Sequence, residues 1–256
     1  MNLPSARPDD ESQSPEQATQ APKIVRVALA GNPNSGKTSL FNALTGGRQH
    51  IGNYPGVTVE KKFGRADFKG HRIEFVDLPG TYSLTAYSLE EVVARDYLLN
   101  DKPDIVVDVI DSTNLERNLY LLLQFQELGV PVIGALNMAD EARSKGIEID
   151  DRQLGRLLGI PFVKTVGRTG QGKRGLLDTV VSIIDGTLSS TTRHLDYGQE
   201  LEEQHNRIIA ALGTDPTFAA KYPQHWMAIK LLEDDSDAFL KVKTEHCRPD
   251  DVLSTS

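Results

Sequence analysis

Eight consecutive residues carry the strongest chemical signal in the chain. Gly31, Asn32, Pro33, Asn34, Ser35, Gly36, Lys37 and Thr38 follow the pattern G-x-x-x-x-G-K-[ST], with Ser39 next in line. Two glycines at that spacing let the backbone turn until successive N–H groups point inward, a cradle for phosphate oxygens. The helix start that follows adds its partial positive charge. Lys37 is placed to reach the β and γ phosphates of a nucleotide, and the Thr38 hydroxyl to bind magnesium. At average residue usage the pattern arises by chance in about one chain of this length in a hundred. Its setting, after a strand and before a helix, lowers that further.

A phosphate loop does not select a base, but two later segments do. Asn137, Met138, Ala139 and Asp140 give N-x-x-D at a strand end. The Asp140 carboxylate can accept from both guanine N1–H and the 2-amino group. Adenine offers neither donor and would leave the carboxylate unpaired. Asn137 can bond to N7 and brace the loop. Thr165, Val166 and Gly167 follow the next strand, where a backbone N–H, that of Gly167, is expected to donate to guanine O6. Two further segments bear on the γ-phosphate. Asp77, Leu78, Pro79 and Gly80 close a strand, with Asp77 placed for magnesium through water and the Gly80 N–H for the phosphate. Asn53, Tyr54, Pro55, Gly56, Val57 and Thr58 precede the second strand, and Thr58 could complete the magnesium shell. Each segment alone reads as an ordinary turn. In this order they make the turn reading improbable.

These residues need a scaffold, and the hydrophobic pattern supplies one. Strands are expected over Val25–Ala30, Phe63–Phe68, His71–Val76, Asp104–Ile110, Val130–Leu136 and Phe162–Val166. Helices are expected over Thr38–Leu44, Ser88–Leu99, Leu115–Leu128, Arg152–Leu158 and Leu176–Asp185. Ser88 and Glu91 have capping-box spacing. The alternation predicts an α/β fold, a mostly parallel doubly wound sheet with one antiparallel strand. After Gly186 the pattern changes: Ser189–Thr192 reads as a polar linker. Leu201, His205, Ile208, Ile209 and Leu212 lie at helical spacing, Trp226 to Leu232 suggests a second helix, and Ala238–Val242 a third. His205 on that stripe reads as a core histidine. The expected organisation is a disordered tail over 1–22, a nucleotide-binding domain over 23–187, a small all-α subdomain over 188–245 and a disordered tail over 246–256.

Composition bounds the remaining options. The 256 residues are 39% hydrophobic and 25% charged, ordinary for a globular protein. A net charge of −8 argues against a nucleic-acid partner. Cys247 is the single cysteine, so no intrachain disulfide can form. No apolar run of about 18 residues is present to span a membrane.

The stretches Gly31–Asn42, Asn53–Glu60, Asp77–Leu84 and Asn114–Leu119 are similar to those of the Ras-like, translation-factor-related GTPases. More narrowly they resemble the cytosolic part of the ferrous iron transport protein B family, FeoB. Tyr197–Glu202 and Trp226–Glu233 resemble that family's helical domain. The resemblance implies GTP hydrolysis to GDP and phosphate that gates or regulates Fe²⁺ uptake, on the cytoplasmic side of the bacterial inner membrane. It implies a membrane permease domain of the same full-length protein as partner, with small accessory transport proteins and a homo-oligomer as further candidates. It also implies a helical domain that favours GDP retention and a potassium ion bound by Asn34.

The residues support that last point independently. Ras-type GTPases place a Gln just after D-x-x-G to position the attacking water. Thr81 stands there instead, and no arginine finger is evident. A potassium ion held by Asn34 could offset charge on the leaving group. Asn34, Lys37, Thr58 and Gly80 are therefore the expected catalytic set, with backbone groups near Thr58 and Gly80 positioning water. Two alternatives stand beside this reading: a nucleotide-occupancy switch without functional turnover, and a soluble ribosome- or tRNA-associated GTPase. Met138 in place of the usual Lys, and Val166-Gly167 in place of Ser-Ala, predict weak and fast-exchanging nucleotide binding. Glu90, Glu91, His246 and Cys247 are the candidates for direct iron binding. Glu91 already has a capping role, and the adjacent pair His246-Cys247 near a loose chain end is poor ligand geometry.

Overall fold

The computed structural model describes residues 23–85, 87–190 and 197–254. Seven strands form one sheet: β1 Lys23–Ala30, β2 Gln49–Asn53, β3 Glu60–Phe68, β4 His71–Asp77, β5 Ile105–Asp111, β6 Val132–Asn137 and β7 Phe162–Lys164. Their order is β2-β3-β4-β1-β5-β6-β7. β1 pairs parallel with β4 and β5, and β5–β6–β7 continue parallel. β3 is antiparallel to both β2 and β4, so it alone runs against the rest. The expected sheet with one reversed strand is therefore present. β2 was not expected: its five residues are mostly exposed and carry no apolar alternation to announce a strand.

β1 and β5 are covered on both faces, which is why they read as continuous apolar runs. On one face Val25, Val27 and Leu29 pack with Leu40 and Phe41 of α1 (Lys37–Thr45) and with Leu176 and Val180 of α6 (Lys173–Ile184). On the other, Ala28 and Val106 pack with Tyr97 and Leu98 of α2 (Leu89–Asn100) and with Leu121 and Phe125 of α3 (Leu115–Leu128). The α2 capping box forms as expected: Glu91 N donates to Ser88 Oγ at 3.2 Å and Ser88 N to Glu91 Oε2 at 3.1 Å. Two short helices, α4 Ala139–Ser144 and α5 Asp151–Leu158, lie between β6 and β7. α4 spans six residues, too few for a periodic signal. β7 ends at Lys164 rather than Val166, because Val166 instead forms an isolated bridge with Gln171.

Five helices follow: α7 Gln199–Leu212, α8 Pro216–Lys221, α9 Gln224–Leu232, α10 Ser236–Glu245 and α11 Pro249–Leu253. Trp226, Met227 and Ile208 join the same apolar core as α2 and α3. His205 is buried as expected, its Nε2 3.2 Å from the His225 carbonyl. The start of the expected linker is pinned, with Ser190 Oγ bonded to both Val132 N and Val132 O. Thr191 and Thr192, and the expected tail over 1–22, lie outside the described residues. The expected disordered tail over 246–256 is corrected for residues 246–254: α11 packs Val252 at 0% exposure, and His246 is buried; residues 255–256 lie outside the described residues. Pro249 at the first helical turn and Asp250–Asp251 start this helix. Its one buried apolar residue gave no periodicity to read.

An ion triad centred on buried Arg95 bolts α2 to this helical region. Arg95, 1% exposed, donates from Nη1 to Asp235 Oδ2 at 3.1 Å and from Nη2 to Asp237 Oδ2 at 2.7 Å. Its guanidinium lies over the Trp226 ring, 6.0 Å from the centroid. Removing Asp235 and Asp237 together would leave Arg95 buried without a counter-charge, at a cost of about 3–5 kcal/mol.

Asp108, in the middle of β5, is 1% exposed, and its Oδ2 has no hydrogen-bond partner. Burial pushes its carboxyl up to about 8. An unfolded Asp loses its proton near about 4. Between those values the folded state holds the extra proton, so stability falls as pH rises through this window. Asp108→Asn should remove that slope: the urea midpoint of the parent should drop between pH 5 and pH 8 by more than that of the variant.

Candidate functional site

The phosphate loop leaves β1 at Gly31 and enters α1 at Gly36, at the C-terminal edge of the parallel strands. Gly31 (φ +149°) has no room for a side chain, since a Cβ would meet the Val109 carbonyl oxygen at 2.5 Å. Gly36 (φ +80°) would drive a Cβ into the Asn137 amide. Asn34 adopts φ +66°, a left-handed backbone in a residue type that tolerates it, and is exposed with Pro33, Thr38 and Ser39. Asn32 and Ser35 are buried, and the Asn32 amide atoms and Ser35 Oγ have no hydrogen-bond partner among the described residues.

Lys37 and Asp77 meet in an ion pair, with side chains 11% and 7% exposed. The two residues expected to bind phosphate and magnesium are thus adjacent, each neutralising the other. Asp77 is placed by β4, and the next residue continues the register, Leu78 N donating to Leu29 O at 2.9 Å. Gly80 runs against Pro33, where a Cβ would lie 3.3 Å from its Cα. Thr81 is buried, and its N–H donates to the Gly31 carbonyl at 3.3 Å. The residue in the place of the usual Gln is therefore committed to the loop itself.

Thr58 is not gathered in the same way. It is exposed, in a turn closed by Tyr54 N donating to Val59 O at 3.0 Å. Tyr54 holds this segment: it is buried, its hydroxyl donates to the Asp77 carbonyl at 3.3 Å, and its ring meets Tyr97 edge-on at 6.2 Å. Sequence reasoning quoted Tyr54 only as motif. An aromatic in an otherwise turn-like Asn-Tyr-Pro-Gly segment was the available signal.

The base-side loops are knotted through Asn137, at the end of β6. Its Nδ2 donates to the Ser35 carbonyl at 2.8 Å, and its Oδ1 accepts from Gly167 N at 2.8 Å and Thr165 Oγ1 at 3.2 Å. Gly167 lies against α1 so closely that a Cβ would sit 2.8 Å from Leu40 N. The expectation that the Gly167 N–H is free for guanine O6 is not met here, because Asn137 takes it. Met138 adopts φ +58° at the start of α4, directing Asp140 into that helix's first turn. Asp140 is paired with Arg168, Nη2 to Oδ2 at 3.3 Å. Arg168 was missed because its partner is 28 residues away in sequence. Gly36, Asn137, Met138, Asp140 and Gly167 surround a cavity of about 170 Å³.

A phosphate loop at a strand–helix junction, an aspartate at the end of the neighbouring strand and an N-x-x-D loop beyond it define a GTPase-type nucleotide-binding fold. Family comparison narrows the class. The model of ferrous iron transport protein B matches residues 25–180, and that of the FeoB cytosolic helical domain residues 197–253. This chain therefore belongs to the ferrous iron transport protein B family.

Two curated relatives illustrate the likeness. The Fe(2+) transport protein A/Fe(2+) transporter FeoB fusion protein of Porphyromonas gingivalis is 47% identical over 84% of this chain and 26% of its own length. The Fe(2+) transporter FeoB of Escherichia coli K12 is 39% identical over 88% of this chain and 29% of its own length. The chain thus spans about a quarter of the length of these relatives. Among solved structures, the cytosolic domain of T. maritima FeoB in a GDP form matches with TM-score 0.80 and 40% identity, covering 91% of each chain. The same domain in a GMPPNP form gives 0.79 and 40%, covering 90% of this chain and 91% of that one.

Asn137 bonds two buried groups of separate loops at once. Asn137→Ala would leave the Ser35 carbonyl and the Gly167 N–H without those partners, at about 1–3 kcal/mol each. A loss of about 2–4 kcal/mol in urea unfolding is expected.

Proposed function

We propose that this chain is the guanine-nucleotide-binding and GTP-hydrolysing part of a ferrous iron transporter, set at the cytoplasmic face of the bacterial inner membrane. Its hydrolysis would gate or regulate Fe²⁺ uptake through a membrane permease domain of the same protein. The single observation that carries the reading is the gathering of Lys37, Asp77, Asn137 and Asp140 around one strand edge. The GDP and GMPPNP forms of the T. maritima relative support guanine as the base. The proposed nucleotide-binding unit covers residues 23–187 and the helical unit begins at 188.

Binding would open the Lys37–Asp77 pair. Lys37 would turn to the β and γ phosphates, and Asp77 would be left to a divalent cation. Thr38, Thr58 and Asp77 offer hard oxygen donors that suit magnesium. Magnesium, when bound, supplies charge neutralisation between the phosphates. Thr58 must move inward for this, carried by the turn between Tyr54 and Val59, with buried Tyr54 as its anchor. On the base side, Asp140 would exchange Arg168 for guanine N1–H and the 2-amino group. Asn137 would remain a brace. Backbone N–H groups of the phosphate loop and of Gly80 would hold the γ-phosphate and orient water.

The buried Thr81 supports a catalytic charge from elsewhere, and the exposed, left-handed Asn34 is the candidate to hold potassium. GTP turnover should be several-fold faster in potassium than in sodium. Asn34→Gly tests the side chain without straining the loop, since glycine adopts φ +66° at no steric cost. Equal rates in the two salts, or full potassium stimulation in that variant, would sink this assignment. Single-turnover kinetics in the same salts separate an enzyme from an occupancy switch.

Nucleotide affinity should be modest. Opening the Lys37–Asp77 and Asp140–Arg168 pairs opposes binding, Met138 holds the base loosely, and the Gly167 N–H is already engaged by Asn137. A micromolar dissociation constant for GDP with rapid exchange is expected by stopped-flow fluorescence. A nanomolar value would contradict it.

A further inference from the structure

The far end of the helical region brings together three metal-competent side chains that the nucleotide site does not use. Asp215, His246 and Cys247 each offer a ligand atom, and these atoms lie within 4.8 Å of one another. Asp215 and His246 are buried, and Cys247 is exposed. We propose that these three residues bind one divalent transition cation of the Zn²⁺ or Fe²⁺ class, with water completing the shell on the exposed side.

The scaffold is well determined. Asp215 caps α8, its Oδ1 accepting from Thr217 N and Phe218 N at 3.0 Å each. Its Oδ2 accepts from Cys247 N at 2.8 Å and keeps a second lone pair. These backbone donors hold the carboxyl below its ordinary range, so it stays ionised. His246 ends α10. Its Nε2 lies 3.2 Å from the Leu212 carbonyl, which can only accept, so Nε2 carries the proton. That leaves the Nδ1 lone pair, now accepting from Arg248 N at 3.1 Å. A histidine whose far nitrogen donates to a carbonyl has its tautomer and ring plane set for metal binding through the near one. The ring edge also rests on Phe218, 5.1 Å between centroids.

Chemistry and charge agree with the class of ion. An oxygen, a nitrogen and a sulfur donor form a borderline set that favours Zn²⁺, Fe²⁺ or Co²⁺ over Mg²⁺ and Ca²⁺. One carboxylate and one thiolate balance a dication. A dication held between the Asp215 carboxylate and the Cys247 thiol favours the thiolate, so binding releases the thiol proton. Ligand atoms around a tetrahedral zinc lie roughly 3.3–3.8 Å apart, given bonds of about 2.0–2.3 Å. Closing from 4.8 Å needs small side-chain rotations and the exchange of one backbone hydrogen bond at Nδ1. The objection from sequence, that His246-Cys247 belongs to a loose end, fails because α11 packs back through Val252.

Cobalt titration of the reduced chain tests the site. Because Cys247 is the single cysteine, a thiolate-to-cobalt absorption band can come only from it. One equivalent of Co²⁺ should produce that band, unaffected by millimolar Mg²⁺. Asp215→Asn, which keeps a cap oxygen, and His246→Gln should each weaken Co²⁺ binding at least about tenfold. A second readout needs no variant: one equivalent of Zn²⁺ should slow alkylation of Cys247 by iodoacetamide at least about tenfold. Absence of the band, its loss to Mg²⁺, unchanged affinity in folded variants, or unslowed alkylation would each overturn the proposal.

Discussion

The Asn137 side chain is the constraint on which the nucleotide edge of this molecule depends. A primary amide has two donors and a carbonyl acceptor, and here they reach two loops that are distant in sequence from Asn137 and from each other. Ser35 belongs to the phosphate loop, and Thr165 and Gly167 to the loop after β7. Because the amide is buried, each bond is made where water cannot replace it, and losing one costs more than its net worth. Gly36 and Gly167 follow from the same constraint. Both stand where a Cβ would collide with the amide or with α1. The phosphate-side and base-side halves are thus one unit, positioned by the ends of β1 and β6.

Against that rigid half stands a more adaptable one. Lys37 and Asp77 satisfy each other, as do Asp140 and Arg168. These are charges held by partners that a ligand can replace, whereas Asn137 is held by backbone groups that cannot leave. The segment bearing Thr58 is anchored most deeply by Tyr54, which rests on the Asp77 carbonyl and on Tyr97, while Val57 and Val59 pack partly buried against the same core. Tyr97 lies on α2, two residues from Arg95, and Arg95 is fixed to Asp235 and Asp237. The helix that follows the Asp77–Gly80 segment therefore touches the phosphate-loop side and the helical region at once. Any displacement of α2 must disturb the ion pairs of buried Arg95, which tolerate discrete rearrangement better than gradual drift.

The parts of the sheet legible in sequence are those whose burial matches a simple period. β1 and β5 are covered on both faces and read as apolar runs, and the helix expected over Leu115–Leu128 is α3 with those bounds. β2, α4 and α11 escaped because each is short and buries few apolar side chains. Their stability comes from neighbours: β2 from pairing with β3, α11 from α10 and α7. No local pattern encodes such support.

For the candidate site, the residue types alone determined the chemistry. Glycines that turn a backbone, a lysine, hard oxygen donors and an N-x-x-D pair mean phosphate and guanine wherever they lie in order along an alternating β/α chain. What only the tertiary structure decided is which of these groups are already engaged with one another. Lys37 with Asp77, Asp140 with Arg168, Gly167 with Asn137, and Asp215 with His246 and Cys247 are separated by 28 residues or more. Such pairings arise from strand order and helix packing, and nothing in the local sequence of either partner specifies them.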